Sequence, residues 1–147
     1  MIIEIIISHL DFLLIERVRE LRIQFKPYMD QVTLAQKIGV SEGYIGNIEN
    51  PKIQSKYNIR MLHRVAEALN LESYHTLFPD KIVENDLVRI RLKLKENSSR
   101  KHEIDKSGKA ISRFEILMIK PLNKKEYQLW NSKNKIDKLK YLQIISD

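Results

Sequence analysis

The chain has 147 residues, which is enough for one compact domain or for a small domain with an appendage. Hydrophobic residues make up 43% and charged residues 31%, a composition typical of globular proteins and too apolar for full disorder. The chain has no cysteine, which excludes disulfides, thiolate metal sites and cysteine nucleophiles.

The formal net charge of +7 is unevenly distributed. Residues 1–80 carry 9 Lys and Arg against 10 Asp and Glu, whereas residues 81–147 carry 17 against 9. A basic region is compatible with nucleic acid, an anionic membrane surface or an acidic partner. No Lys or Arg precedes Arg17, so the positive start of a signal peptide is missing, and no apolar run reaches the roughly 20 residues of a spanning helix. We therefore expect a soluble cytoplasmic protein without a membrane partner.

The first half of the chain changes from a strand pattern to a helical pattern. Residues 2–7 are rich in isoleucine and predict a short strand. Asp30, Ser41 and Asn58 are typical N-cap residues for three of the helices that follow. The predicted helices cover residues 11–25, 31–38, 42–50, 59–70 and 72–77. The inward face of the fourth helix is predicted to hold Ile59, Leu62, Val65, Ala66 and Leu69.

After residue 82 the pattern changes to alternation. Residues 88–95 alternate apolar and basic side chains, which predicts a half-buried strand. Residues 97–110 are polar and predict a loop, and residues 113–120 predict a second strand. Asn123 and Glu126 have the spacing of a capping box at the start of a helix. A last amphipathic helix, within residues 134–145, is predicted from the spacing of Ile136, Leu139, Leu142 and Ile145.

Residues 31–50 have the pattern of a helix-turn-helix. Ala35 is small where two helices would cross closely, and Gly39 lies at the turn, where a positive φ is needed. The residues expected to face the core are Leu34, Ile38, Val40, Ile45 and Ile48. The predicted fold is mainly α, with a five-helix repressor-like bundle and its apolar N-terminal extension in residues 1–82. A small α+β appendage, a β-hairpin with one or two helices, is predicted in residues 83–147.

Residues 12–79 resemble the Cro and phage-repressor helix-turn-helix family, the xenobiotic-response-element-like regulators. The resemblance covers a little under half of the chain and rests on ERVRELR, LAQKIGVSEGYIGNIEN, MLHRVAEALNLE and LFP. It implies a five-helix bundle whose third helix, at about residues 42–50, enters the DNA major groove. It also implies binding of two-fold operators as a dimer. We therefore predict a sequence-specific transcriptional regulator that binds double-stranded DNA as a homodimer.

The candidate DNA-binding residues lie on the helix-turn-helix and just after it. The resemblance implies that Gln31 holds a phosphate and that Arg22 and Glu49 form a structural ion pair between the first and third helices. Tyr44 either reaches a phosphate or packs beside the second helix. The full set of candidates is Gln31, Ser41, Glu42, Gly43, Tyr44, Asn47, Asn50, Lys52 and Lys56.

Other candidates also have a structural alternative. Glu42 could accept from a cytosine amino group, or lie in the first helical turn, where an acid favours the helix dipole. Asn47 could pair with adenine or hold a phosphate, or be a solvated helix residue. Lys52, Lys56 and Tyr57 follow the recognition helix, where they could meet phosphate or form a solvated loop.

No residue pattern predicts catalysis, a metal or a cofactor. The four histidines are scattered and lack metal-ligand spacing with carboxylates. The sequence has no Ser-His-Asp set, phosphate-binding glycine loop or nucleotide fingerprint. We therefore predict that the chain is not an enzyme and holds no cofactor, and the sequence leaves its effector open.

The basic C-terminal half has three interpretations. Its first strand could pack on the second strand or the final helix, or the open sheet edges could mediate dimerisation with residues 2–7 as a third strand. A third possibility is a wing whose basic face, Arg89, Arg91, Lys93 and Lys95, approaches DNA phosphate. Two other functions also stay open, namely an antitoxin-like or assembly module that binds a protein, and RNA binding through this half.

Overall fold

The chain forms helices packed against one antiparallel sheet, and the computed structural model describes residues 1–95 and 103–147. The α-helices are α1 (His9–Gln24), α2 (Gln31–Ile38), α3 (Tyr44–Glu49), α4 (Ile59–Ala68) and α5 (Lys124–Trp130). The strands are β1 (Ile2–Ser8), β2 (Leu87–Leu94), β3 (Phe114–Pro121) and β4 (Leu142–Ser146). No helix within the described ranges is long and apolar enough to cross a membrane.

The fold class is α+β, so the predicted mainly α fold with a five-helix bundle is wrong. The first half of the chain supplies four α-helices, and the fifth element predicted there, at residues 72–77, is a single 3₁₀ turn at Tyr74–Leu77. Pro79 follows this turn and favours its end, because proline cannot donate a backbone hydrogen bond. The remaining helix, α5, comes after β3, and a four-stranded sheet replaces the predicted hairpin.

The sheet joins the two ends of the chain. Its strand order is β3-β2-β1-β4, and neighbouring strands are antiparallel. β1 is a central strand, since Ile5 lies opposite both Ile90 of β2 and Leu142 of β4. Side chains of a strand point alternately to the two faces, so Ile3 and Ile5 lie on one face of β1 and Ile6 lies on the other. All three are buried, so both faces of β1 are covered. Residues 2–7, which the dimerisation interpretation offers as a third strand, pair with β2 within the same chain.

The predicted last helix is wrong, because the end of that segment forms β4. Ile136, the first apolar residue of the predicted face, is 91% exposed. The adjacent isoleucines Ile144 and Ile145 favour a strand, and Ile144 lies opposite Ile3. β1 therefore supplies the backbone hydrogen-bond partners for β4, and local spacing could not reveal that pairing.

Helix α1 belongs to both hydrophobic cores and fixes the sheet against the helices. Leu14 and Val18 lie in the core of the helical bundle. Phe12 lies in the sheet core, where its ring centroid is 6.0 Å from that of Phe114. The predicted apolar face of β2 is confirmed in the same core by the buried Val88, Ile90 and Leu92.

Three predicted helix starts are confirmed by side-chain hydrogen bonds. Asp30, Asn58 and Asn123 each accept a backbone N–H from the first turn of the helix that follows. Glu126 completes the predicted capping box with Asn123. The predicted inward face of α4 is wrong for Ile59, which is 86% exposed in the first turn, while the other four residues of that face are buried.

Candidate nucleic-acid interface

Helices α2 and α3 form a helix-turn-helix around Gly39. Gly39 has a φ of +74°, and its N–H closes the end of α2. A Cβ at this position would lie 2.8 Å from Nη2 of Arg64, and the left-handed conformation disfavours any residue with a side chain. Ala35 is fully buried in α2. The predicted positive φ at Gly39 is confirmed.

Helix α3 has one buried and one exposed side. Its buried residues are Ile45, Ile48 and Glu49. Asn47 is exposed, and so are Glu42 and Gly43 in the turn before the helix. Ser41 is exposed too, but its predicted role as N-cap is wrong, because Gly43 occupies that position and no side chain caps α3. The helix begins at Tyr44, which makes it shorter than the predicted residues 42–50.

Arg22 holds α3 from inside the bundle. Its side chain is fully buried and makes five hydrogen bonds. Nε and Nη2 donate to Glu49 at 3.1 and 2.8 Å, so the predicted ion pair is confirmed. Nη1 and Nη2 donate to Glu103 at 3.0 and 2.7 Å, and Nη1 donates to the Met29 carbonyl at 2.9 Å. Burial lowers the pKa of Arg22, but the bonds to Glu103 and Glu49 outweigh it and raise that pKa above its usual value.

Glu103 belongs to this buried cluster, although the sequence pattern did not reveal it. It lies in the polar stretch 97–110, of which residues 97–102 fall outside the described ranges. Glu103 is 9% exposed and accepts a short hydrogen bond from the Tyr28 hydroxyl. Burial, and then this bond, raises the pKa of Tyr28 to about 12. Glu103 thus ties the C-terminal half to α1 and to the segment before α2, and Arg22 extends this link to Glu49 of α3.

The side chain of Gln31, the first residue of α2, packs on α3 at Gly46 and Glu49. Its Nε2 donates to Glu49 Oε1 at 3.0 Å. A Cβ at Gly46 would lie 3.0 Å from Gln31 Oε1, closer than most real Cβ contacts. The glycine therefore leaves room for the Gln31 side chain on α3, and Glu49 links Gln31 to the buried arginine cluster.

A cleft of about 410 Å³ brings part of the helix-turn-helix together with the end of the sheet. Gln31, Asn50 and Lys52 line it on the helical side, and Lys95 and Arg113 line it on the sheet side. Asn50 Oδ1 also accepts from the backbone N–H of Lys52 at 3.0 Å, which fixes the turn after α3. Basic side chains from both halves of the chain thus line one cleft beside the C-terminal end of α3, and one of them, Arg113, is paired with Glu16 at 3.0 Å.

The other candidates lie apart from this cleft. Tyr44 is partly buried, and its ring centroid is 6.5 Å from that of Tyr57. Tyr57 is 5% exposed in the bundle core, so the possible phosphate contact for Tyr57 is wrong. Burial raises the pKa of the Tyr57 hydroxyl well above its usual value. Lys56 is exposed, and its Nζ lies 3.8 Å from Asp11 Oδ2.

Only part of the basic face of β2 is free of ion pairs among the described residues. Arg89 Nη2 lies 2.6 Å from Glu126 Oε2, and Arg91 Nε donates to Glu4 Oε2 at 2.9 Å. These two arginines therefore fasten α5 and β1 to β2. The exposed basic residues of this strand end are Lys93 and Lys95.

The chain matches no model of a known protein family, and no curated protein or solved structure is significantly similar to it. The functional argument therefore depends on the geometry of the helix-turn-helix and of the basic residues around it.

Proposed function

We propose that this chain is a sequence-specific, double-stranded-DNA-binding transcriptional regulator that acts in the cytoplasm as a homodimer. In this proposal the residues before α3 and its outer side, about residues 42–50, enter the major groove. The observation that supports it best is the exposure of Asn47 on a short helix whose opposite side is held by Arg22. A rigid helix with exposed polar side chains is what base readout requires.

The charge distribution around α3 also supports the proposal. Lys52 and Lys95 are exposed on opposite sides of the cleft at the end of α3. Phosphate contacts position a protein on DNA, and base contacts specify the sequence. In this arrangement the two lysines neutralise backbone phosphates, while Glu42 and Asn47 face base edges.

The test is selection of duplexes from a random DNA pool by the full chain, followed by fluorescence anisotropy on the selected duplex. A scrambled duplex of the same composition is the control. We expect affinity to fall steeply with salt, and the selected duplex to bind at least about 10³-fold more tightly than the scrambled one.

Other outcomes would contradict the proposal. Tighter binding of single-stranded or hairpin RNA than of any duplex DNA would favour the RNA-binding alternative. Absence of sequence enrichment and of nucleic-acid binding at low salt would favour the protein-interaction alternative.

A further inference from the structure

Strand β3 ends the sheet on one side, and its outer edge is apolar. No other strand in the described ranges pairs with that edge. Its exposed apolar residues are Ile116, Leu117 and Ile119, which are 46%, 42% and 42% exposed. An apolar edge strand with free backbone groups is a template for another strand.

A bulge in β3 determines which side chains share a face. Glu115 lies opposite Lys93, and Lys120 lies opposite Arg89 on the neighbouring strand. Residues 89 and 93 are four apart, so they point to the same face, and Glu115 and Lys120 do likewise. Lys120 comes five positions after Glu115, an odd spacing that would put the two side chains on opposite faces without the register shift that β3 contains.

The apolar residues between them share the other face. Ile116 lies opposite Leu92, and Ile119 lies opposite Ile90, and both partners belong to the sheet core. The exposed isoleucines therefore extend the apolar face of the sheet to its open edge.

This arrangement is self-complementary. If a second β3 runs antiparallel to the first, a two-fold axis between Leu117 and Met118 places Glu115 opposite the partner's Lys120. The same axis places Ile116 opposite the partner's Ile119. Each dimer would then have two cross-strand ion pairs and two isoleucine pairs, and each pair lies on one face of the joined sheet.

We propose that two copies of the chain form a symmetric dimer by antiparallel pairing of their β3 strands, with Glu115 of each copy facing Lys120 of the other. Within one copy Lys120 lies opposite Arg89, whose guanidinium is already paired with Glu126, and the partner's Glu115 would give Lys120 an opposite charge on the outer side of the strand. The pairing joins two four-stranded sheets into one continuous sheet.

The other open edge does not have these properties. Strand β4 exposes Ile144 and Ile145 but carries no charged residue in its sequence LQIIS. Pairing of β3 with β4 of another copy would build open chains rather than a closed dimer. Charge complementarity and closure therefore both favour β3 with β3.

This dimer goes beyond the proposed DNA binding and does not require it, because the interface lies wholly on the sheet. Its test is sedimentation equilibrium of the full chain without DNA. We expect a reversible dimer, and Glu115→Lys and Lys120→Glu should each weaken dimerisation by about tenfold or more, since each change makes two like-charge pairs.

Mixing the two single variants is the sharpest measurement. The Glu115→Lys variant has lysine at positions 115 and 120, and the Lys120→Glu variant has glutamate at both. The mixture should therefore form a heterodimer, although each variant alone dimerises more weakly than the natural chain. The double charge-swap variant should dimerise like the natural chain. Glu84→Lys and Lys135→Glu make the same charge changes at exposed sites off the edge and should have no effect.

A second measurement does not depend on charge. The chain has no cysteine, so Leu117→Cys places one thiol per copy beside the two-fold axis, and we expect rapid disulfide-linked dimer on mild oxidation. Glu84→Cys is the control. The proposal is overturned by a natural chain that stays monomeric at micromolar concentration, by variants that fold but do not recover on mixing, or by equal cross-linking of the two cysteine variants.

Discussion

Arg22 and Glu103 are 81 positions apart in the sequence, yet their side chains lie 2.7 Å apart in a buried ion pair. Arg22 also holds Glu49 of α3, so one guanidinium joins α1, α3 and the C-terminal half. Arg22 thereby couples the orientation of α3 to the position of Glu103 in the C-terminal half.

Arg22→Ala should destabilise the fold by about 3–5 kcal/mol, because it leaves two buried carboxylates without their main partner. Arg19 lies 3.8 Å from Glu49 and 3.7 Å from Glu103 and cannot replace all of the lost hydrogen bonds. Urea denaturation measures the loss, with Arg60→Ala on the exposed side of α4 as the control. A variant that melts like the natural chain but has lost its DNA preference would instead make Arg22 a readout residue.

The cluster also predicts how stability depends on pH. Burial raises the pKa of Glu103, but hydrogen bonds from Arg22 and Tyr28 outweigh it and leave that pKa below its usual value of 4.5. The stabilisation from this carboxylate is therefore present above about pH 4.5 and is lost as the pH falls through the lower folded-state pKa.

Glu103→Gln removes this titration. The natural chain should exceed the Gln variant in unfolding free energy at neutral pH, and that difference should shrink between about pH 5 and pH 3. Chemical denaturation at several pH values measures it, with Glu84→Gln as the exposed control. A difference that stays constant over this range would show that the ionised form of Glu103 is not stabilised by the fold.

The local parts of the fold could be predicted from the sequence. The bounds of α2, the turn at Gly39 and the caps at Asp30 and Asn58 depend on neighbouring residues, and the structure has them as predicted. The alternation in β2 was equally informative, because a half-buried strand has a period of two. The Arg22–Glu49 pair of the candidate site followed from a resemblance that covers both residues.

The rest depends on contacts between distant parts of the chain. β1 lies at the centre of a sheet whose other strands begin at Leu87 or later, and β4 has a helical spacing that its pairing with β1 overrides. Glu103 was hidden in a polar stretch because polarity indicates a loop and does not indicate a buried partner. Arg113 was missed for a different reason, because it begins the predicted strand 113–120 and local spacing does not show that this strand end meets the helix-turn-helix.

Asn47→Ala should weaken binding to the selected duplex by about 1–3 kcal/mol and leave the fold intact, because Asn47 is exposed on the outer side of α3. Fluorescence anisotropy measures the affinity, and a thermal melt checks the fold. Gln128→Ala removes an exposed amide from α5 and serves as the control. Unchanged affinity in Asn47→Ala would remove this residue from the reading face.

Two glycines of the helix-turn-helix should respond oppositely to the same substitution. Gly39→Ala should cost about 1–2 kcal/mol, because the left-handed φ of +74° strains any residue with a Cβ, whereas the Arg64 guanidinium 2.8 Å from the new Cβ can move aside. Gly43 has a φ of −83° and open space around it, so Gly43→Ala should be neutral or stabilise the fold by up to about 1 kcal/mol. Urea denaturation measures the free energy of unfolding of both variants. Equal losses of that free energy would mean that the turn at Gly39 does not require its left-handed conformation.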